Sequence, residues 1–586
     1  MNNFARVPSE GTFTASDDTD LFYRHWPAMQ AGRPSKVVVM FHRGHEHSGR
    51  LQHIVDELRL FDTAFYAWDA RGHGRSPGER GHSPSLGRSI RDVDEFVRFA
   101  AEDSGVALDD VTVIAQSVGA VLVSAWAHDY APKIRGLVLA SPAFKVKLYV
   151  PFARTGLSLM QRWRGLFFVN SYVKGKYLTH DPERIESFNT DPLITRAISV
   201  NILLALYKTA ERIVSDAAAI TLPTQLLVSG SDYVVHRKPQ VDFFNGLRSP
   251  VKEMRVLPGF YHDTLGEKDR SLAFDKMRDF IDTLYAMPPQ RIDYAHEDRW
   301  SPSADTWRML AAGPAPFSAE SIAFCALRYG MKALGTQSDG VRLGLETGFD
   351  SGSTLDYIYQ DKARGRNVFG RLIDRNYLDS IGWKGIRQRK VHLQQLIQQA
   401  VVHLQQQSMP VRLVDIAAGH GRYVLDALQH LDGVDDILLR DYSELNVEKG
   451  QALIAERGLS SVAHFEQGNA FDRQSLATLS RPTLGIVSGL YELFPDNAMV
   501  RASLAGLADA IPEGGLLIYT GQPWHPQLKT IAWALTSHRD GQPWVMRVRT
   551  QGEMDALVEE AGFDKCAQLI DEWGIFTVSL AVRRAS

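Results

Sequence analysis

Residues Val111–Ala120 read V-T-V-I-A-Q-S-V-G-A. Val111 to Ile114 predict a buried strand, because β-branched residues suit an extended, covered backbone. Ala115 and Gly119 flank Ser117, and Ala120–Trp126 is an apolar run at helical spacing. The order is strand, tight turn with a serine at its tip, then helix. Small residues are needed there because the turn presses backbone against backbone. Working outward, Lys36–Phe41 (KVVVMF), Ala64–Asp69, Ile134–Ala140, Gln225–Gly230 and Lys252–Leu257 are further strand-like runs. They alternate with longer stretches, which predicts an α/β fold around a largely parallel sheet.

The chain has 586 residues, too many for one core, so roughly two to four domains are expected. With 65 basic and 68 acidic residues, the net charge of −3 offers no electrostatic case for a nucleic-acid partner. The two cysteines, Cys325 and Cys566, lie far apart and lack metal spacing, which fits a reducing compartment. The first residues show no basic-then-apolar pattern, and no apolar run reaches membrane-spanning length. A cytoplasmic protein is expected.

Three loops carry chemistry in the first half. His42–Arg50 (HRGHEHSGR) follows the first parallel strand. Its histidines invite a metal reading, but they lack helix or hairpin ligand spacing, so no metal site is expected. The loop suits backbone N–H donation to an oxyanion instead. Ser231-Asp232 and Pro258–His262 each stand just past a strand. The order Ser117, Asp232, His262, each at a strand end, is that of the α/β-hydrolase triad. Ser117 is then the nucleophile, His262 its base, Asp232 the residue that orients the imidazole, and the amides of Gly44 and Val118 the oxyanion hole. Residues 143–215 break the alternation. Phe152, Leu157, Leu159, Met160, Trp163, Leu166, Phe167, Phe168 and Val169 are interleaved there with Lys145, Lys147, Arg154, Arg162, Arg164, Lys174 and Lys176. A helical cap is expected, which either docks on an anionic lipid surface or packs its apolar residues on the hydrolase core.

Residues 10–285 resemble the monoglyceride lipase-like branch of the α/β-hydrolases. The resemblance is carried by His42–Arg50, Asp69–Gly78 (DARGHGRSPG), Ser117, Tyr177–Leu193, Asp232 and His262. It implies an acyl ester as substrate, water as acyl acceptor and no cofactor. Two departures stand out: Arg43 replaces a glycine, and Ala115-Gln116 replaces Gly-His. Arg43 is expected to narrow the site or to meet a charged head group.

Residues 288–304, with three prolines, read as a linker, and 305–389 as a helical extension of a second domain. Lys390–Gln407 predicts a helix with Leu393, Leu396, Ile397, Ala400, Val401 and Leu404 in one stripe. Val411–Tyr423 (VRLVDIAAGHGRY) then runs from a strand into Gly419-x-Gly421 and a helix, a turn that lets backbone approach a nucleoside. Alone, a dinucleotide reading competes. Asp441, Gly468–Asp472, Gly489–Glu492, Pro512–Gly515 and Ala561–Phe563 follow in turn. That succession, over residues 390–586, resembles the class I S-adenosylmethionine-dependent methyltransferases, with a Rossmann-like fold. The resemblance implies Asp415, Ala417, Gly419 and Gly421 at the methionine part of the cofactor. It places Asp441 at the ribose and Asn469 and Ala470 at the adenine. Tyr491, Glu492, Gln522, Trp524 and His525 fall on the methyl-acceptor side, with His525 either a general base or a structural bridge.

A bifunctional enzyme is expected, a lipid or lysophospholipid acyl-ester hydrolase joined to a methyltransferase. The alternatives are a thioesterase or peptidase in the first half, or a lipid- or cofactor-sensing binding module with inactive sites.

Overall fold

A computed structural model describes residues 6–30, 32–147, 153–429, 431–539 and 541–585. The chain divides into two compact units, Met1–Asp293 and Tyr294–Ser586.

The first unit contains strands β1 (Ser9–Thr14), β2 (Asp20–Trp26), β3 (Lys36–Phe41), β4 (Thr63–Trp68), β5 (Val111–Gln116) and β6 (Gly136–Ala140). After a short pair, β7 (Phe168–Asn170) and β8 (Ala197–Ser199), come β9 (Thr224–Ser229) and β10 (Lys252–Leu257). One sheet has the order β1-β2-β4-β3-β5-β6-β9-β10, antiparallel at its β1–β2 and β2–β4 pairs and parallel from β4 onward. All of β5 is buried, which is why its sequence shows no polar alternation. On one face, Phe274, Met277 and Ile281 of the helix Ser271–Tyr285 join Ile54, Val55 and Leu58 in one core cluster. On the other, Phe96 of the helix Leu86–Ser104 stacks on Trp68 and meets Phe41 edge-on. This is the α/β-hydrolase fold.

Between β6 and β9 lies the cap: helices Ala153–Arg164, Pro182–Thr190 and Val200–Ser215 with the antiparallel β7–β8 pair. Leu159, Met160, Trp163 and Leu166 are exposed, so these four do not pack on the hydrolase core, whereas Leu157, Phe167, Phe168 and Val169 are half-buried. Phe152 lies outside the described residues.

The second unit contains β11 (Arg412–Asp415), β12 (Asp436–Asp441), β13 (Ala463–Gln467), β14 (Leu484–Val487), β15 (Leu516–Gly521), β16 (Phe563–Ile570) and β17 (Thr577–Arg583). Their order is β13-β12-β11-β14-β15-β17-β16, with β17 antiparallel to both neighbours. The strand order reverses between β11 and β14, which opens a crevice beyond Asp415 and Val487. The stripe Leu393–Leu404 is buried against this sheet, in a helix that begins at Ile381 rather than Lys390.

Residues 288–304 are not a free linker throughout. From Tyr294 onward they belong to the second unit, because they satisfy buried donors there. The Glu297 carbonyl accepts from Arg547 Nη2 at 2.8 Å, and Ser301 Oγ caps the helix Pro302–Ala312 by accepting from Ala304 N at 3.1 Å. The extension continues as helices Ala319–Gly335, Asp339–Thr347, Gly352–Gln360 and Val368–Leu378. The fully buried carboxylate of Asp374 ties three of them together. It accepts from Ser338 Oγ (2.6 Å), Gly340 N (2.8 Å), Tyr357 Oη (2.5 Å) and Arg364 N (2.8 Å).

Candidate functional sites

At the end of β5 the backbone turns sharply. Ser117 has φ +56° and ψ −116°, a region a non-glycine residue rarely occupies, and strain of this kind collects at reactive sites. Gly119 is required two residues on, because a Cβ there would come within 2.5 Å of the His42 carbonyl oxygen. Ser117 Oγ lies 2.7 Å from His262 Nε2, and His262 Nδ1 lies 2.8 Å from Asp232 Oδ2. The other Asp232 oxygen accepts from Val234 N at 2.7 Å and Val235 N at 2.9 Å. Burial pushes the Asp232 carboxyl up, but the imidazole and these amides outweigh it and hold the group below its ordinary value. With Asp232 ionised, His262 carries its proton on Nδ1 and presents Nε2 to the serine hydroxyl. Gly44 lies against Val118: a Cβ on Gly44 would sit 3.0 Å from Val118 Cγ2. The two loops expected to hold an oxyanion are therefore adjacent. Beside them is a cavity of about 90 Å³ lined by Leu122, Ile202 and Leu206 among others.

The loop histidines are braces. His42 Nδ1 donates to the Arg43 carbonyl (2.6 Å) while its Nε2 accepts from Ala70 N (3.1 Å). His47 Nε2 meets Asp191 at 2.9 Å, and His73 Nδ1 meets the Arg71 carbonyl at 2.8 Å. Arg43 does not offer its charge to a head group. Its guanidinium is buried and grips Glu46 with two bonds (2.6 and 3.1 Å), with Asp263 at 3.4 Å. Gln116 Nε2 donates to the same Asp263 at 3.2 Å, so the two departures from the lipase-like pattern meet at the residue after His262. Arg184 Nε completes the cluster at 3.0 Å from Asp263. The sequence carries no motif for this cluster; only the pairing of the two unusual residues hints at it.

In the second unit the glycine loop adopts the geometry its residues require. Gly419 and Gly421 have φ +59° and +73°, and a Cβ on Gly421 would strike Leu439 Cδ1 at 2.4 Å. Gly419 N donates to Asp441 Oδ2 at 2.9 Å, while Oδ1 accepts from Ser443 N and Asn446 Nδ2, both at 2.9 Å. A carboxylate has about four acceptor positions, so Oδ2 keeps room for a ligand hydroxyl. Ala417 and Gly419 are half-buried and Asn469 is exposed, although its Oδ1 accepts from Phe471 N at 3.0 Å. These residues fit a nucleoside-bearing cofactor.

Asp415 and Ala470 do not face such a ligand with their side chains. Asp415 is fully buried and bonded to Tyr423 Oη and Ala417 N; burial pushes its carboxyl up to about 7. Its part is to shape the loop. Ala470 lies in the core cluster with Val414 and Ile416. The extension also reaches this loop: Ser353 Oγ lies 3.3 Å from His420 Nε2, and Asp356 pairs with Arg422. No sequence motif marked that contact.

On the expected acceptor side the residues separate. Tyr491 turns into the core, donating to Ser503 Oγ at 3.0 Å. Glu492, Gln522 and His525 line a cavity of about 530 Å³, with Trp524 in the apolar cluster nearby. His525 is not placed to act as a base. Burial pushes its pKa down to about 3, and Nδ1 accepts from Gln527 N at 3.0 Å, so the neutral ring keeps its proton on Nε2. Glu492 faces Arg389 at 3.6 Å.

Comparison with known proteins agrees with the two folds. A family model described as "Putative methyltransferase" matches residues 277–583, and one described as "Serine aminopeptidase, S33" matches residues 32–269. The protein YnbC of Escherichia coli K12, called uncharacterized, is 69% identical over 99% of both chains. Phospholipase YtpA of Bacillus subtilis is 28% identical over 43% of this chain and 97% of its own. The monoglyceride lipase of Mus musculus is 26% identical over 42% of this chain and 81% of its own. The chain belongs to the methyltransferase family matched by its second half and carries, ahead of that domain, a lipase-like α/β-hydrolase domain.

Proposed function

We propose that the chain is a bifunctional enzyme, a serine hydrolase of lipid acyl esters fused to an S-adenosylmethionine-dependent methyltransferase. The observation that supports the first activity best is the relay Ser117–His262–Asp232, at 2.7 and 2.8 Å, on a strained elbow. Ser117 Oγ attacks the ester carbonyl as His262 Nε2 takes its proton. The amides of Gly44 and Val118 hold the oxyanion, a contribution of about 3–4 kcal/mol per donor in comparable sites. His262 then protonates the departing alcohol, and water, activated in the same way, releases the acid. Lipid esters are favoured because relatives named phospholipase and monoglyceride lipase share this half. The cap supports it too: Trp163 is 95% exposed between Arg162 and Arg164, a mixture suited to an anionic lipid surface. None of the described helices is long and apolar enough to cross a membrane.

In the second unit the cofactor supplies a methyl group on a positively charged sulfur, open to attack by an acceptor lone pair. The loop Ala417–Gly421 would flank its methionine part, Asp441 Oδ2 would accept from its ribose, and Asn469 would meet its adenine. Two measurements test the pair of activities. A fluorophosphonate should label the wild-type chain and leave Ser117→Ala unlabelled; wild-type chain without label contradicts the hydrolase. Calorimetry should show one S-adenosylmethionine bound per chain, weakened about tenfold or more in Asp441→Ala. Absence of binding contradicts the methyltransferase.

A further inference from the structure

We propose that the cavity of about 530 Å³ in the second unit is the methyl-acceptor compartment, and that it takes an uncharged, largely apolar molecule bearing one hydroxyl-type polar group. The proposal rests on the methyltransferase reading and adds the class of acceptor to it.

Place comes first. The cavity is lined by Gly489 and Glu492, which follow β14, and by Gln522, which follows β15. None of Asp415, Ala417, Gly419, Gly421, Asp441 or Asn469 lines it. It is thus a compartment distinct from the glycine loop. β14 pairs directly with β11, so the two open from neighbouring strands.

Charge comes second. Asp350, Arg389 and Glu492 are the charged side chains among the described lining residues, and each already has a polar or charged partner. Arg389 stands 3.6 Å from Glu492, and Asp350 stands 3.1 Å from His538 Nδ1 while accepting from Ser537 Oγ at 2.6 Å. His525 is neutral. A charged ligand would lose its hydration and have to compete with Glu492 for Arg389, whereas an uncharged one would leave that pair in place.

Polarity and shape come third. Gln522 is 3% exposed, and neither its amide nitrogen nor its oxygen has a hydrogen-bond partner; of the other lining residues, the indole nitrogen of Trp544, the hydroxyl of Tyr377 and Nε of Arg389 are likewise buried without one, and Gln522 is the one that lacks both a donor and an acceptor partner. Buried polar groups are nearly always paired, so these stand out as groups awaiting a ligand. A primary amide offers both a donor and an acceptor, and a hydroxyl answers both. The remaining walls are apolar. Trp383 and Trp544 stack at 6.0 Å between centroids, and the volume falls in the range of about 300–1,000 Å³ usual for small-molecule sites. The outer wall is the helix Ala319–Gly335, in which Gly335 alone is fully buried. Gly330 on this helix lines the cavity, and a Cβ there meets nothing within 4 Å. A larger side chain at 330 can fill the space without a clash at its base.

The test uses the full chain and three probes of one ring system: 1-hydroxypyrene, pyrene and pyrene-1-sulfonate, read by probe fluorescence excited through tryptophan. At a pH where the hydroxyl is neutral, 1-hydroxypyrene should bind about tenfold more tightly than either of the others. Gly330→Phe should weaken it at least about tenfold while leaving S-adenosylmethionine affinity unchanged, and Gln522→Leu should remove its advantage over pyrene. Gly330→Leu serves the same purpose should the phenylalanine variant not fold. The proposal is overturned if the sulfonate binds as tightly as 1-hydroxypyrene, or if filling position 330 leaves probe binding intact. Lack of S-adenosylmethionine binding by the wild-type chain would instead strike the methyltransferase reading, with probe selectivity still judging the cavity.

Discussion

The two sites differ in who supplies their parts. In the first unit the groups of the proposed relay all belong to the chain, and the chain has already paired them: serine to imidazole, imidazole to carboxylate, carboxylate to two amides. In the second unit the chain leaves space and loose ends. A glycine loop stands beside a carboxylate oxygen with room for another donor, and a large cavity holds an amide with no partner. Nucleophilic catalysis needs groups poised on one another before substrate arrives. Transfer between two small molecules needs room for both, and leaves bonds for them to complete. Ionisation follows the same division. Asp232 is held below its ordinary value by its partners, while burial pushes Asp415 up to about 7.

Three substitutions sharpen this contrast. The largest effect belongs to Asp232→Asn, which removes the charge that holds His262 in the right tautomer. We expect a drop of about 10⁴-fold in kcat for ester hydrolysis, with S-adenosylmethionine binding unchanged. A loss below tenfold would mean that the relay is not the working part. Next, Arg43→Met leaves Glu46 and Asp263 short of a buried counter-charge, and should cost the first unit about 3 kcal/mol in urea unfolding. An unchanged midpoint would show that Arg50 and Arg184 suffice. The smallest effect is a pH slope. A carboxyl raised in the folded state binds its proton more tightly there than in the unfolded chain. Its favourable contribution is whole below the unfolded pKa and fades as pH rises towards about 7. The second unit should therefore lose stability through Asp415 between about pH 4 and 7, by at most about 1.4 kcal/mol per pH unit, and Asp415→Asn should flatten that slope. Asp232 acts in the opposite sense. Its contribution is whole above the unfolded value near 3.9 and is lost as pH falls through the lowered folded value. Thermal melts of both variants across this range would expose a wrong sign.

How far the sequence discloses each site follows from the same division. The meeting of Ser117, Asp232 and His262 is legible because an elbow is local and each partner stands within five residues of a strand end. The central strands are legible because full burial removes polar alternation, as in β5. The second sheet is legible from Gly419, Gly421 and the acidic end of β12. The pairing of Arg43 with Asp263 is not, because nothing local marks two residues joined across the sheet. Nor is the inward turn of Tyr491, decided by a hydroxyl partner, Ser503, on another helix. The cavity is hidden for a further reason. It is a void between the extension and the ends of β14 and β15, and empty space has no residues of its own to read.

The most direct test of the account is release of free fatty acid from monoacylglycerol and lysophospholipid, followed by mass spectrometry for the wild-type chain and Ser117→Ala. The account predicts fatty acid from the wild type and none above background from the variant. Equal release by both proteins, or no release by the wild type from any acyl ester offered, would contradict it.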